Sequence, residues 1–304
     1  MATSAVPQVQ AEGADVLTST PREASWRQSA RARQSLEVWL IRLVIWSILL
    51  AVLFPVFYTV LYSLKGGGSA LYSRTFIPDV LTQDNYRDLL DGTFPLWIRN
   101  SLIFGITSGV LVVLFATFAG FAFSRMRFPG RRYGILFLLI IQMLPIIMSV
   151  VAYYRMLQLT NLLNTRTGII LIFGLGGSAL SVWLMKNFID SIPRDLDEAA
   201  YIDGATHWQA FWRIIFPLVQ PMLVAQFIFS FIGVYNEYLL TSLLIADPDL
   251  YPLGVGVRTF STQFATAWTQ FCAAAVLGSV PILIVFFLAQ RFLVEGLTRG
   301  AIKG

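Results

Sequence analysis

One stretch of the chain, Ser191 to Pro217, gathers titratable residues at helical spacing. It carries Asp195, Asp197, Glu198 and Asp203, then Gly204, then His207, the only histidine in the sequence. Pro193 suits the first turn of a helix, and the three acids after it stand where a helix dipole favours negative charge. Leu196, Ala199, Ala200 and Asp203 share one face by the three/four rule. Gly204 can take the left-handed geometry that ends a helix, and Thr206 with Gln209 makes a capping box for the next one. That second helix runs through Trp208, Phe211 and Trp212 toward Pro217. The chemistry of such a piece is recognition. A short amphipathic helix with small Ala199 and Ala200 on its exposed side makes a knob that fits a groove on a partner. Packing against the chain's own helices is the other reading, and pattern alone divides the two evenly.

Catalysis finds no matching set of residues. A zinc site needs several His, Cys or carboxylate ligands, and beside His207 there is a single cysteine, Cys272, which also excludes an intrachain disulfide. An intramembrane serine or aspartyl catalyst needs polar partners at helical depth, and none are grouped. There is no Gly-x-x-x-x-Gly-Lys-Ser/Thr loop to cradle ATP phosphates. Carriers driven by protons or sodium usually hold carboxylates within the membrane; the nearest candidate, Glu237, falls at an outer helix end. The chain is therefore expected to be a non-enzyme with no cofactor of its own.

The elements that must position this stretch follow from where charge is missing. The 304 residues are 56% hydrophobic and only 13% charged, with mean hydropathy +0.68, about half the ~25% charge of soluble domains. Six long uncharged runs stand out: Leu43–Leu64, Asn100–Ser124, Tyr133–Tyr154, Thr167–Met185, Ile214–Asn236 and Thr259–Gln290. A spanning helix needs about 20 apolar residues, so all but the last fit closely, and the apolar part of the last begins near Trp268. The fold class is all-α and polytopic, with six transmembrane helices over 38–304. Loop charge orients it, since cytoplasmic loops retain Lys and Arg. With both termini inside, 15 of the 22 basic residues lie on the inner side, among them Arg125, Arg127, Arg131 and Arg132 in one short loop without an acid. Both termini are expected in the cytoplasm, and the 186–213 loop with them. The net charge of +5 is mostly this topology signal; no interleaved basic and aromatic patch suggests nucleic acid.

Residues 1–37 are polar, hold Pro7 and Pro21, and lack a signal-peptide core; they read as a disordered cytoplasmic tail. Arg22 to Arg42 fits equally an amphipathic helix on the inner membrane surface and a plain extension of the first span. Gly105 and Gly109 are read as helix-packing positions, with Gly174, Gly176 and Gly177 beside them. Pro55, Pro145, Pro221 and Pro281 lie within spans and can kink them. Four polar groups at depth, Gln142, Gln226, Tyr235 and Asn236, are the candidates for a substrate path, although hydrogen bonding between helices is the commoner role. Tyr86, Trp97, Tyr251 and Trp268, in or beside the outer loops, have rings that can stack on a sugar or anchor at the interface.

Glu198-Ala199-Ala200, three residues, Gly204, nine residues, then Ile214-Ile215-Phe216-Pro217 resembles the EAA motif of binding-protein-dependent ABC importer permeases, Glu-Ala-Ala-x3-Gly-x9-Ile-x-Leu-Pro. Only Phe216 departs from it. Asn100-Ser101-Leu102, the run Arg125 to Arg132, and the ending Gly296 to Gly304 resemble the carbohydrate branch, specifically its maltose-type second permease. The likeness covers about Leu43 to Gly304.

The resemblance implies a type I importer architecture in a bacterial or archaeal cell membrane, importing a maltodextrin-like or other oligosaccharide. It implies four kinds of partner: an ATP-binding cassette ATPase dimer holding ATP and magnesium, a second permease, an extracytoplasmic solute-binding protein, and the sugar. By position, Glu198 makes a polar contact with the ATPase, Ala199 and Ala200 permit close approach, and Gly204 sets the turn. Ile214 and Pro217 anchor the second helix to span five, and Asp203 is an additional contact. The competing reading is a self-contained homodimeric channel or secondary carrier whose inner loop merely packs internally.

Overall fold

The computed structural model describes the backbone of residues 21–66, 78, 80–143, 146–261 and 267–301, and the side chains of all of these except 21–36, 146, 291 and 293–301. It divides into two units, 1–57 and 58–304. Helix α1 (Pro21–Ser63) begins in the first unit and has 43 residues. Residues 21–37, which the sequence assigns to the tail, are helical and continue into the span without a break; the first 20 residues lie outside the described ones. From Glu37 to Ser63 this helix is long and apolar enough to cross a membrane. Trp39, Leu43, Trp46, Leu50 and Phe57 are all exposed on it, as on a helix apolar all round whose solvent is lipid.

The second unit holds the remaining spans. Helix α2 (Asp84–Asp91) leads into α3 (Phe94–Arg125), followed by α4 (Arg131–Gln142) and α5 (Ile146–Leu159). Helix α6 (Arg166–Leu171) passes through a π-helical turn (Ile172–Gly176) into α7 (Ser178–Asp190). The short α8 (Asp195–Ile202) and α9 (His207–Ala210) come next. A second π-helical turn (Phe211–Ile215) joins α9 to α10 (Phe216–Tyr235), so His207–Tyr235 is one membrane-length helix. Pro217 in its first turn has no N–H to donate to Arg213, which favours the wider turn there. Then come α11 (Leu239–Leu244), a 3₁₀ turn, α12 (Leu253–Arg258) and α13 (Trp268–Ala301).

Among the described residues, five helical stretches are each long and apolar enough to cross a membrane. The third expected span is divided: α4 and α5 are inclined by 105° to one another, and they make a sixth crossing only if the pair counts as one broken span. Pro145 lies outside the described residues.

Helix α3 is the centre of the second unit, packed along α7 on one flank and α10 on the other. Gly105 and Gly109 make the second contact. A Cβ on Gly105 would stand 2.8 Å from the Phe231 ring, and one on Gly109 3.1 Å from Phe227, so the glycine pair is a seat for two aromatic rings. Lipid is as apolar as these side chains, so close van der Waals fit holds such helices together. Near Arg125 a buried cluster of Phe121, Met185, Ile189, Phe211, Ile215 and Val219 joins α3, α7, the π turn and the start of α10.

At the opposite end α3 is fastened mainly by the neutral side chains of Asn100 and Ser101. Asn100 Nδ2 donates to the carbonyls of Asp249 (2.9 Å) and Tyr251 (3.1 Å), and Ser101 Oγ accepts from the Leu253 N–H at 2.8 Å. Arg166 donates to Asn100 Oδ1 at 3.4 Å.

Candidate functional site

The loop between α7 and α10 takes the local structure its residues dictate. Asp195, Asp197 and Glu198 occupy the first turn of α8. The helix stops at Gly204, whose φ of +82° only glycine adopts without strain. The Ala205 N–H donates to the Ala200 carbonyl at 2.9 Å, and the Gly204 N–H to that of Tyr201 at 3.1 Å; the two bonds form a Schellman stop. Two residues later the capping box closes. The Gln209 N–H donates to Thr206 Oγ1 at 3.3 Å, while Gln209 Oε1 accepts from the Thr206 N–H at 2.8 Å. The His207 ring nitrogen and the Tyr201 hydroxyl, 2.8 Å apart, tie α9 back to α8.

Burial sorts the residues of this loop into two faces. Glu198, Ala199, Asp203 and Gly204 are exposed, with Leu196 and Ile202 beside them. Ile202 is 86% exposed, a large apolar side chain turned to the outside. Ala200, expected on the open face, is only half-exposed, because α9 packs back beside α8. The anchoring differs too. Phe211 and Ile215 are fully buried, whereas Ile214 is half-buried and Pro217 exposed. With 3.6 residues per turn, one position of offset is enough to turn Ile214 aside and put Ile215 in the core.

The inner face of α8 holds what the sequence did not disclose. Asp197 is buried, and its Oδ2 lies 2.5 Å from Nε of Arg125, both side chains about 5% exposed. Burial pushes the Asp197 carboxyl above the usual carboxylate range, and the Arg125 guanidinium opposes that push. Read singly, Arg125 serves as an orientation signal and Asp197 as a complement to the helix dipole. Each explanation is sufficient alone, so nothing in one sequence points from residue 125 to residue 197.

The four path candidates do not converge. Gln226 is buried and donates to the Ser181 carbonyl at 3.0 Å, joining α10 to α7. The buried Tyr235 hydroxyl donates to the Gly278 carbonyl of α13 at 3.0 Å. These two make the interhelical bonds that polar residues at depth commonly make. Asn236 is exposed and donates within its own helix, to Ile232. Tyr235 and Asn236 border a cavity of about 460 Å³ with Tyr238, Arg258 and Phe271. Gln142 borders a separate one of about 250 Å³ with Ser149 and Tyr153.

Membrane-length helices with a helix–glycine–helix loop fastened against the end of the central one define a multi-pass membrane protein. The chain belongs to the family of binding-protein-dependent transport system inner membrane components, whose profile matches residues 112–299. It is 39% identical over 287 residues to the maltose/maltodextrin transport system permease protein MalG of Vibrio parahaemolyticus, covering 88% of this chain and 96% of that one. The maltodextrin transport system permease protein MdxG of Bacillus subtilis is 36% identical over 257 residues, with 84% and 92% covered. In fold, the chain matches the crystal structure of a bacterial ABC transporter that imports the acidic polysaccharide alginate, with TM-score 0.73 at 22% identity over 85% of this chain and 97% of that one. The permease branch expected from the sequence is thus the one the chain belongs to.

Proposed function

We propose that this chain forms half of the translocation path of an ATP-driven importer for a maltodextrin-like oligosaccharide, and that α8 is the docking element for the ATPase. The observation that carries the docking reading is the two-faced α8: Glu198, Ala199, Leu196 and Ile202 turned outward, with Asp197 held inward. An exposed Ile202 and Leu196 beside an acid offer apolar area and one polar contact, the chemistry of a helix laid into a groove. The oligosaccharide is inferred from the maltose and maltodextrin transport permeases to which the chain is 36–39% identical.

The division of labour follows. ATP and magnesium are bound by the ATPase subunits, a second, different permease completes the path, and a solute-binding protein delivers the sugar on the side away from α8. Closure of the ATPase pair moves α8, and the spans change between outward- and inward-facing states, so two sites are coupled through one two-state body. In this arrangement the 186–213 loop and both termini face the cytoplasm.

Expression at native level, mild solubilisation and mass spectrometry of co-purifying proteins test the reading. Recovery of an ATP-binding cassette ATPase and a second permease, lost on Glu198→Lys, supports it. Recovery of the chain alone as a stable dimer overturns it.

A further inference from the structure

Behind its open face, α8 is gripped by α3. Arg125, the last residue of α3, places Nε 2.5 Å from Asp197 Oδ2, and its Nη2 donates to the Ile192 carbonyl at 2.9 Å. One guanidinium thus holds both the helix and the segment that enters it. Around it, Arg131 (2.9 Å) and Arg194 (3.4 Å) donate to the Ser124 carbonyl, and Ser124 Oγ donates to Asp190 Oδ1 at 2.5 Å. The carbonyl end of α3 is therefore the hub of a polar network reaching α4, α7 and α8.

As a stabiliser the central pair is poor. Arg125 Nη1 and Asp197 Oδ1 are buried without a hydrogen-bond partner, and desolvating two charges costs about what their attraction returns. What the pair supplies is geometry. The face of α8 that meets a partner cannot shift without the end of α3 shifting too. Further along, α3 has little play: its glycines seat Phe227 and Phe231 of α10, and a Cβ on Gly120 would stand 2.7 Å from Met185 of α7.

We propose that Arg125 and Asp197 are positioning residues for energy coupling, through which displacement of a docked α8 is delivered to α3 and thence to α7 and α10. The inference rests on the docking reading given above and deepens it. Glu198 and its neighbours receive the partner, while Arg125 and Asp197, which no partner reaches, convert its movement into movement of a span. The competing route runs only through the covalent connections at Ile192 and Gly204, and it works without the pair.

The test uses the complete complex in vesicles, with Asp197→Asn, Arg125→Gln, and the exchanged pair Arg125→Asp with Asp197→Arg. Two quantities are read: ATPase recovered per chain, and oligosaccharide imported per ATP hydrolysed, the latter per assembled complex. Both single variants should retain the ATPase yet import about tenfold less per ATP, the size of an ordinary coupling energy, and the exchanged pair should restore most of that loss. Unchanged import per ATP in the single variants overturns the proposal. So does a loss of ATPase recovery that accounts for all lost import, which is what a purely structural pair gives, or an exchanged pair that restores nothing. Glu198→Lys separates the two levels. If it leaves ATPase recovery intact, the docking reading fails, whatever the pair does.

Discussion

The two ends of α3 solve one problem in different chemistry. Each must hold a loop with short helices against the end of a long apolar span, and each uses adjacent residues. Asn100 and Ser101 do it with neutral groups that bind the backbone of Asp249, Tyr251 and Leu253. Ser124 and Arg125 do it with a charged network that reaches two carboxylates, Asp190 and Asp197, and the Ile192 carbonyl. A clamp on backbone fixes the path of a loop and uses the main-chain groups it meets. A clamp that adds a buried ion pair with a helix side chain fixes the orientation of that helix and leaves its other face free. The first suits a static rim, and the second suits an element that keeps one face open, as the proposed docking requires.

Breaking each clamp should show the difference. The largest expected effect is that of Asp197→Ala, which leaves the buried Arg125 guanidinium unpaired and should lower stability by about 3–5 kcal/mol. Thermal unfolding of the purified protein measures it. Removing both charges, with Arg125→Met and Asp197→Leu, should return more than half of that loss, since the cost lies in the orphaned charge. Asn100→Ala should cost less, about 1–3 kcal/mol for two carbonyls deprived of a donor. Raising salt from about 0.15 to 1 M should leave the Asp197→Ala difference unchanged, because a pair this buried is little screened.

Two smaller effects sharpen the contrast between the faces of α8. Gly204→Val should cost about 1–2 kcal/mol, the penalty of a side chain at left-handed φ, and should weaken ATPase recovery by unsettling the stop of α8. Glu198→Gln should shift stability by less than about 0.5 kcal/mol, as exposed substitutions do, while reducing ATPase recovery. A fall in melting temperature comparable to that of Asp197→Ala would show that Glu198 is a structural residue.

How much the sequence discloses depends on the reach of the interaction. The Schellman stop at Gly204 and the Thr206–Gln209 box depend on residues within about five positions, and both are legible from residue types. Spans are legible because charge is excluded from them. The glycine pair at 105 and 109 announces a helix contact, and only the structure names Phe231 and Phe227 as its occupants. The division of the third span into α4 and α5 has one signal, Pro145, which stands between them in the chain; beyond that an uncharged run has the same composition straight or bent. Ile215 instead of Ile214 as the anchor is hidden by one residue of helical phase. Arg125 and Asp197 are hidden by distance along the chain. The path candidates carry a signal with two readings, since polarity at depth marks Gln226 and Tyr235 for bonds between helices as readily as for a sugar.

The most direct test of the central claim is photo-crosslinking from Ile202, the most exposed apolar residue of α8, compared with Phe229, 76% exposed in the middle of α10. With the crosslinker at 202 in the assembled complex, mass spectrometry should identify an ATP-binding cassette ATPase as the main product, and the crosslinker at 229 should give none. Equal labelling from the two positions, or no nucleotide-binding protein from 202, would contradict the assignment of α8 as the docking element.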